Sequence, residues 1–342
     1  MKAAGVLLVT GALACSRAPA DDRRNPEPPS SARVTAPSVP AKAPSPSVET
    51  TPHTPDTTPP LERSLERASI VSLASRPGAA LGVLDAAVRL PGATHTVPAR
   101  LTLALTDDPL ALRRPLAFHR LARALGARVV PVSVLRREGA GSIAELLAPD
   151  LLAALKPRLA VQNDGTVDAL LTSAGPAGAP FTEPHGHSIA VNGSAEMEAL
   201  ARGANSAVPL PGENPRLLRD FIEMRVLDYL SANVLRRTVF LDDAGSLVLD
   251  DNATAFPLHV DPRAEVRLLN ALRSSARFPK NLRAALDALD RPSAAARFAP
   301  GSFEEWLISP RNLVALDERR VSLLSLLDAK IAASGGAAVQ SL

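Results

Sequence analysis

Apolar and polar positions divide the chain into three stretches with different periods. Residues 3–14 (AAGVLLVTGALA) are apolar almost throughout and follow one positive charge, Lys2. Residues 16–61 show no apolar period. From residue 62 onward the pattern is that of folded protein. Residues 99–106 (ARLTLALT) alternate and predict a strand. Residues 115–126 carry Leu116, Phe118, Leu121 and Leu125 near helical spacing, between an opening Pro115 and a closing Gly126, and predict a helix. Residues 127–135 (ARVVPVSVL) are β-rich, with Pro131 confining them to a sheet edge. Residues 143–155 read as a helix. Residues 165–212, rich in Gly, Pro and Asn, read as a long irregular excursion.

The remainder is more helical. Residues 214–232 start with Pro215 and carry a broad apolar stripe through Leu218, Phe221, Ile222 and Leu227. Residues 239–241 and 247–249 flank Asp242-Asp243-Ala244-Gly245, a hairpin signal. Helices are expected near 263–276, 280–289, 301–308 and 313–334. The expected organisation is a signal segment at 1–14, a tether at 15–61, a β-rich lobe with an irregular loop at 62–212, and a helical lobe with a central hairpin at 213–342.

Composition narrows the classes. Of 342 residues 46% are apolar and 21% charged, a globular balance that excludes a wholly disordered or collagen-like chain. The formal charge of +3, with no dense basic cluster, argues against a nucleic-acid partner. Of the 38 basic residues 33 are arginine, and none of the five lysines lies between positions 43 and 155. The single cysteine, Cys15, excludes an intramolecular disulfide, a cysteine-built zinc site in the body and a cysteine nucleophile there.

The apolar run at 3–14 is too short to span a bilayer and ends in small residues before Cys15, as a signal peptide does. Ala12-Leu13-Ala14-Cys15 resembles a bacterial lipoprotein box, departing from it at Ala12. That resemblance implies cleavage before Cys15, lipid on its sulfur and amino group, and an exported, membrane-anchored protein of the cell envelope. The alternative is a plain secretory signal with an incidental thiol. Residues 16–61 hold 12 of the 32 prolines and no aromatic residue, so they cannot bury enough apolar surface to order themselves. They are expected to form a disordered, partly polyproline tether reaching up to ~140 Å at ~3.1 Å per residue.

Asp228-Tyr229-Leu230-Ser231-Ala232-Asn233 precedes the hairpin, and Asp251-Asn252-Ala253-Thr254-Ala255-Phe256-Pro257 follows it. The pair resembles the core of atypical kinases: the four-jointed and Golgi casein kinase type, HipA-type kinases and type II phosphatidylinositol 4-kinases. The likeness extends, weakly, over about residues 95–340. It implies a two-lobed α+β fold of the protein-kinase kind, with a small β-rich first lobe and a helical second lobe. It also implies a Mg or Mn ion with ATP, held through Asp251 as metal ligand and Asn233, Asn252 and Arg100 as cofactor-binding groups, and Asp228 as a catalytic candidate. Phosphoryl transfer is largely positioning and charge neutralisation.

Three of the four chemical positions depart from the family pattern. The strand that should carry a phosphate-holding lysine offers only Arg100, which is not a neutral replacement. Pro115 or Arg114 falls where the family has a glutamate. The Asp-Arg after Asn233 is replaced by Val234-Leu235-Arg236-Arg237, in a loop about three residues short. Asp228 has the D-x-x-x-x-N spacing of ordinary protein kinases, yet also suits an earlier, structural position. The pair Asp251-Asn252 could equally serve a turn.

Weaker signals have plain readings. Gly139-Ala140-Gly141-Ser142-Ile143-Ala144 matches a dinucleotide pattern, or a turn and helix start. His185 and His187 with Glu183 could hold a metal or be a solvated loop. His119 reads as a packed or surface residue, Trp306 as a core anchor, and the pairs Arg236-Arg237 and Arg319-Arg320 as solvated faces. Three functions follow: a catalytically inactive kinase-like module binding a protein partner, peptide or nucleotide at the envelope, an active atypical kinase using Asp251 and Asp228, or a structural envelope lipoprotein unrelated to kinases. Convergence of Asp228, Asn233 and Asp251 separates the first two from the third. A cation (Arg100 or Lys156) at Asp251 would favour the active enzyme.

Overall fold

Alternating burial builds the first lobe. A short helix, α1 (Pro60–Glu66), leads into β1 (Ser69–Ser75), β2 (Val83–Arg89) and β3 (Val97–Leu103). With β4 (Pro131–Gly139) and β5 (Thr166–Pro176) these form one antiparallel sheet in the order β1-β2-β3-β5-β4. On one face Leu84, Val88, Leu101, Val167 and Leu171 join Ile143 and Leu155 of the covering helices α3 (Ala140–Leu146) and α4 (Pro149–Leu155) in one apolar core. The other face carries Leu170, which joins the core built on α2 (Arg113–Ala124). A computed structural model describes residues 60–108, 111–176, 186–242, 244–299 and 307–342.

The second lobe is built around α6 (Pro215–Ser231). Asn214 caps it, its Oδ1 accepting from the Arg216 and Leu217 amides at 3.1 and 3.2 Å, and Pro215 takes the first turn. Twelve of its 17 residues are buried. Around it pack α5 (Ala195–Asn205), α7 (Pro262–Ser274), α8 (Leu282–Ala288), α9 (Arg291–Phe298) and α10 (Pro310–Ser334), closed by a short α11 (Gly336–Val339). A second, three-stranded sheet orders β6 (Gly186–Ala190), β7 (Thr238–Asp242) and β8 (Leu247–Val248). Gly245, with φ +71°, makes the β7–β8 turn.

The architecture is the expected two-lobed α+β fold, and β4 with Pro131 does lie at a sheet edge. Several local expectations need correction. The supposed irregular excursion over 165–212 contains β5, β6 and α5. Residues 143–155 form two helices, because Ala148, extended at ψ 145°, precedes Pro149 and breaks the run. The glycine pattern at Gly139 joins antiparallel β4 to a seven-residue helix, so no βαβ crossover exists to cradle a dinucleotide. Helix α1 begins at Pro60, within the end of the expected tether. The segment 1–59, with Cys15, lies outside the described residues, as do Glu183, His185, Trp306 and positions 301–306 of an expected helix. Among the described residues no helix is long and apolar enough to cross a membrane.

Candidate functional site

The C-terminus of α6 fixes the site. Ala232 takes a left-handed conformation, φ 52°, and the chain doubles back so that the Asn233 amide donates to the Asp228 carbonyl at 2.8 Å. This reversal brings Arg236 alongside Asp228. Arg236 Nε donates to Asp228 Oδ1 and Oδ2 at 3.0 and 2.8 Å, and Nη2 donates to Oδ1 at 2.8 Å. The same guanidinium reaches the segment after the hairpin: Nη1 donates to the Asp251 carbonyl at 3.0 Å and Nη2 to Asn252 Oδ1 at 2.9 Å. It also lies 5.3 Å from the Phe118 ring of α2. Both Asp228 and Arg236 are buried. Burial pushes the Asp228 carboxyl up, and the Arg236 charge pulls against it.

Asn252 turns its other end inward, Nδ2 donating to the Leu249 carbonyl at 2.7 Å. Asn233 Oδ1 accepts from the Thr254 hydroxyl. Phe256, with φ 51°, packs edge-on against Phe298 at 5.8 Å while its amide donates to Ser231 at 2.7 Å. Asp228, Asn252 and the Asp251 backbone therefore converge on one arginine, and Asn233 joins them through the Asp228 carbonyl. Asp251 points its carboxylate elsewhere: it is exposed, and Oδ1 accepts from the Ala253 amide at 3.2 Å in a local turn.

A second arginine joins the lobes. Cross-strand register sets Asp85 of β2 opposite Arg100 of β3, Arg100 opposite Thr172 of β5, and Thr172 opposite Ser133 of β4, so these four side chains share one face. From that face Arg100 Nη1 pairs with Asp250 Oδ1 at 2.6 Å, and Nη2 donates to the Asp250 carbonyl at 3.0 Å. Arg76 contacts both Asp250 Oδ2 and Asp85 Oδ1 at 3.4 Å. Arg100 thus meets Asp250, the neighbour of Asp251. Lys156, the other candidate cation, lies exposed in a 3-10 turn at Lys156–Arg158.

The helix expected to supply a glutamate has none in its first turn. Instead α1 sends Glu62 to α2, where it meets Arg123 and lies 3.5 Å from His119. Burial raises the Glu62 carboxyl, and it pushes the His119 imidazole down to about 3, so His119 is a neutral packed residue. The solvated-face reading fails for half of each arginine pair: Arg236 is buried as above, and buried Arg319 pairs with Glu265 at 2.9 Å. The signal for Arg236 was available in its place three residues after Asn233, beside an aspartate on the buried side of a helix.

A kinase-type metal and nucleotide need acidic oxygens for the ion and a free cation for phosphate. Here Asp250 and Arg100 neutralise each other, and Asp251 stands as a lone carboxylate. Among the described residues no group of three His, Cys, Asp or Glu side chains could hold a metal; His187 is exposed on β6. The residues present do not fit that group.

No protein-family model and no curated protein matches the chain. Solved structures do. Hydra Fam20 with sugar aligns at TM-score 0.57 and 15% identity, over 82% of this chain and 90% of that one. The Golgi casein kinase aligns at 0.52 and 13% identity, over 80% and 77%, and the same kinase with Mn/ADP bound aligns at 0.54 and 13%, over 82% and 77%. The chain therefore has the two-lobed kinase-like fold of the Fam20 and Golgi casein kinase structures, the atypical kinases that its hairpin motifs resemble.

Proposed function

We propose that this chain is a kinase-like binding module without phosphoryl-transfer activity, carried on an exported lipoprotein and engaging a protein partner at the cell envelope. One observation carries the inactive reading: the only acid at the end of α6, Asp228, is buried and held by three hydrogen bonds to Arg236. A buried carboxylate held so by one guanidinium is a poor acceptor for a substrate hydroxyl proton. Leu235, in the short loop that lacks the resembled family's Asp-Arg, is 60% exposed and apolar. The Arg100–Asp250 pair supports the same reading from the nucleotide side. Lipid anchoring rests on the apolar run before Cys15 and on that cysteine being unique.

The test is a thermal-shift titration of the full chain with ATP or GTP plus Mg or Mn, with Asp251→Ala as control, alongside a phosphoryl-transfer assay. A bound nucleotide at 100-fold its dissociation constant would stabilise the protein by about 2.7 kcal/mol. The expected result is no metal-dependent shift and no transfer. A shift lost in Asp251→Ala, with transfer to any acceptor, overturns the proposal and restores the active kinase suggested by the Mn/ADP-bound neighbour. Acylation is tested separately, by fatty-acid labelling of the expressed chain, which Cys15→Ser is expected to abolish.

A further inference from the structure

Between α5, α6 and α7 the second lobe holds a cavity of about 460 Å³. Helix α6 lines it with Phe221, Met224, Arg225 and Asp228, one stripe at positions i, i+3, i+4 and i+7. Helix α7 faces this stripe with Arg267 and Leu268, and Met197 and Ala201 of α5 extend the apolar wall. Asn233 and Arg236 reach it from the loop after α6. No described residue of the five-stranded lobe lines it, so it is separate from the Arg100–Asp250 contact. Its size falls in the range of small-molecule sites, which bury most of a ligand against apolar walls and orient it with a few polar groups.

The charge of this lining is unbalanced. Asp228 and Arg236 satisfy each other. Arg225 is half-buried, lies 4.2 Å from the Phe221 ring, and donates to the Ala271 carbonyl at 3.2 Å and Ser275 Oγ at 3.3 Å. No carboxylate among the described residues pairs with it, and burial alone pushes its guanidinium down to about 10. A partly desolvated cation without a counter-charge favours an anion beside it. Asn233, 1% exposed, keeps its side chain on the Asp228 side of the cavity, where it helps pull that carboxyl down. The remaining acid of the lining, Glu198, is exposed to water.

We propose that this cavity binds a small amphipathic organic anion, its carboxylate, phosphate or sulfonate head against Arg225 and its apolar body against Phe221, Met224 and Leu268. The inference does not depend on whether the kinase-like cleft is inert. The test uses the full chain and 8-anilinonaphthalene-1-sulfonate, whose fluorescence reports entry into an apolar site. Decanoate, decyl phosphate and decyltrimethylammonium serve as competitors below their micelle concentrations. One saturable site is expected, displaced by the two anions and not by the cation; which anion displaces better distinguishes a carboxylate ligand from a phosphate ester. Arg225→Met is expected to weaken binding about tenfold or more, and Arg225→Lys to retain part of it. Ala201→Phe, which fills the cavity and leaves Arg225 in place, is expected to abolish binding, and Arg76→Met to leave it unchanged. Absence of a saturable site, equal displacement by the cation, or undiminished binding in a folded Arg225→Met or Ala201→Phe variant overturns the proposal.

Discussion

Replacing Arg236 by Met tests what holds the loop after α6. Methionine keeps the aliphatic bulk and removes the guanidinium, and with it five donated hydrogen bonds, three to Asp228 and one each to Asn252 and the Asp251 carbonyl. The main loss is electrostatic. Asp228 would be left buried without its counter-charge, and breaking a buried pair from one side costs about 3–5 kcal/mol. That is a large part of a stability of about 5–15 kcal/mol. Asn252 Oδ1 and the Asp251 carbonyl, each losing a donor, add about 1 kcal/mol apiece.

The double variant Asp228→Leu/Arg236→Met isolates the charge. It removes both ions, so it should recover at least half of the loss in urea unfolding followed by circular dichroism. The pH dependence gives a second check. Without Arg236 burial is opposed only by the Asn233 hydrogen bond, so the folded pKa of Asp228 rises further above the unfolded value. The folded state then takes up a proton that the unfolded chain does not, and the Arg236→Met penalty shrinks as pH falls from 8 to 5. A single variant within about 1 kcal/mol of wild type, or a double variant no more stable than the single, would refute the view that this pair fixes the loop.

Three other outcomes follow from the same contacts. Burial pushes Asp220 up to about 7 from an ordinary 3.8, while its Oδ2 accepts from the Leu247 amide at 3.2 Å. Its contribution is therefore full below pH 4 and lost as pH rises through 7. Asp220→Asn, which keeps the acceptor, should gain stability relative to wild type by up to about 4 kcal/mol between pH 4 and pH 8; equal urea midpoint profiles would contradict this. Leu235→Asp, at an exposed position, should change stability by less than about 0.5 kcal/mol and confer no phosphoryl transfer, since Arg100 stays committed to Asp250; measurable transfer would contradict the account of the cleft. Phe278→Ala, at a fully buried ring whose backbone bonds Val339 and Leu342, should cost about 3–5 kcal/mol in urea unfolding.

The parts of the fold legible in sequence are those whose signals are local. Helix α6 announces itself by Asn214, Pro215 and a long apolar stripe, and the hairpin by Asp242 and Gly245 between short β runs. Strand β5 was illegible because both of its faces are buried: Val167 and Leu171 enter one core and Leu170 the other, so the alternation that marks a half-buried strand is absent. Strand β1, mostly exposed, gives the opposite failure, with only Leu73 fully buried. In the site, the residues of the two motifs were found, and the bond joining them was not. That bond depends on the left-handed turn at Ala232, a conformation usually signalled by glycine or asparagine and invisible at an alanine.

Two arginines hold this cleft through intramolecular contacts, and the fork of the guanidinium is what allows it. A lysine at position 100 would place one compact ammonium near Asp250. Arg100 instead uses two nitrogens, one on the carboxylate and one on the backbone carbonyl of the same residue, and so fixes the chain as well as the charge. Arg236 does the same on a larger scale, satisfying a carboxylate, an amide oxygen and a carbonyl at once. On the proposed reading, Arg100 spends on Asp250 the charge that a working phosphotransferase would offer to phosphate. The anions the two arginines meet belong to the chain itself, Asp250 and Asp228, and they are tethered within reach by the hairpin and by α6. A free nucleotide would have to displace an intramolecular partner from Arg100, and its apparent affinity falls by the fraction of time that partner is away. On the proposed reading, the same fork geometry that stabilises the folded arrangement opposes the chemistry its fold resembles.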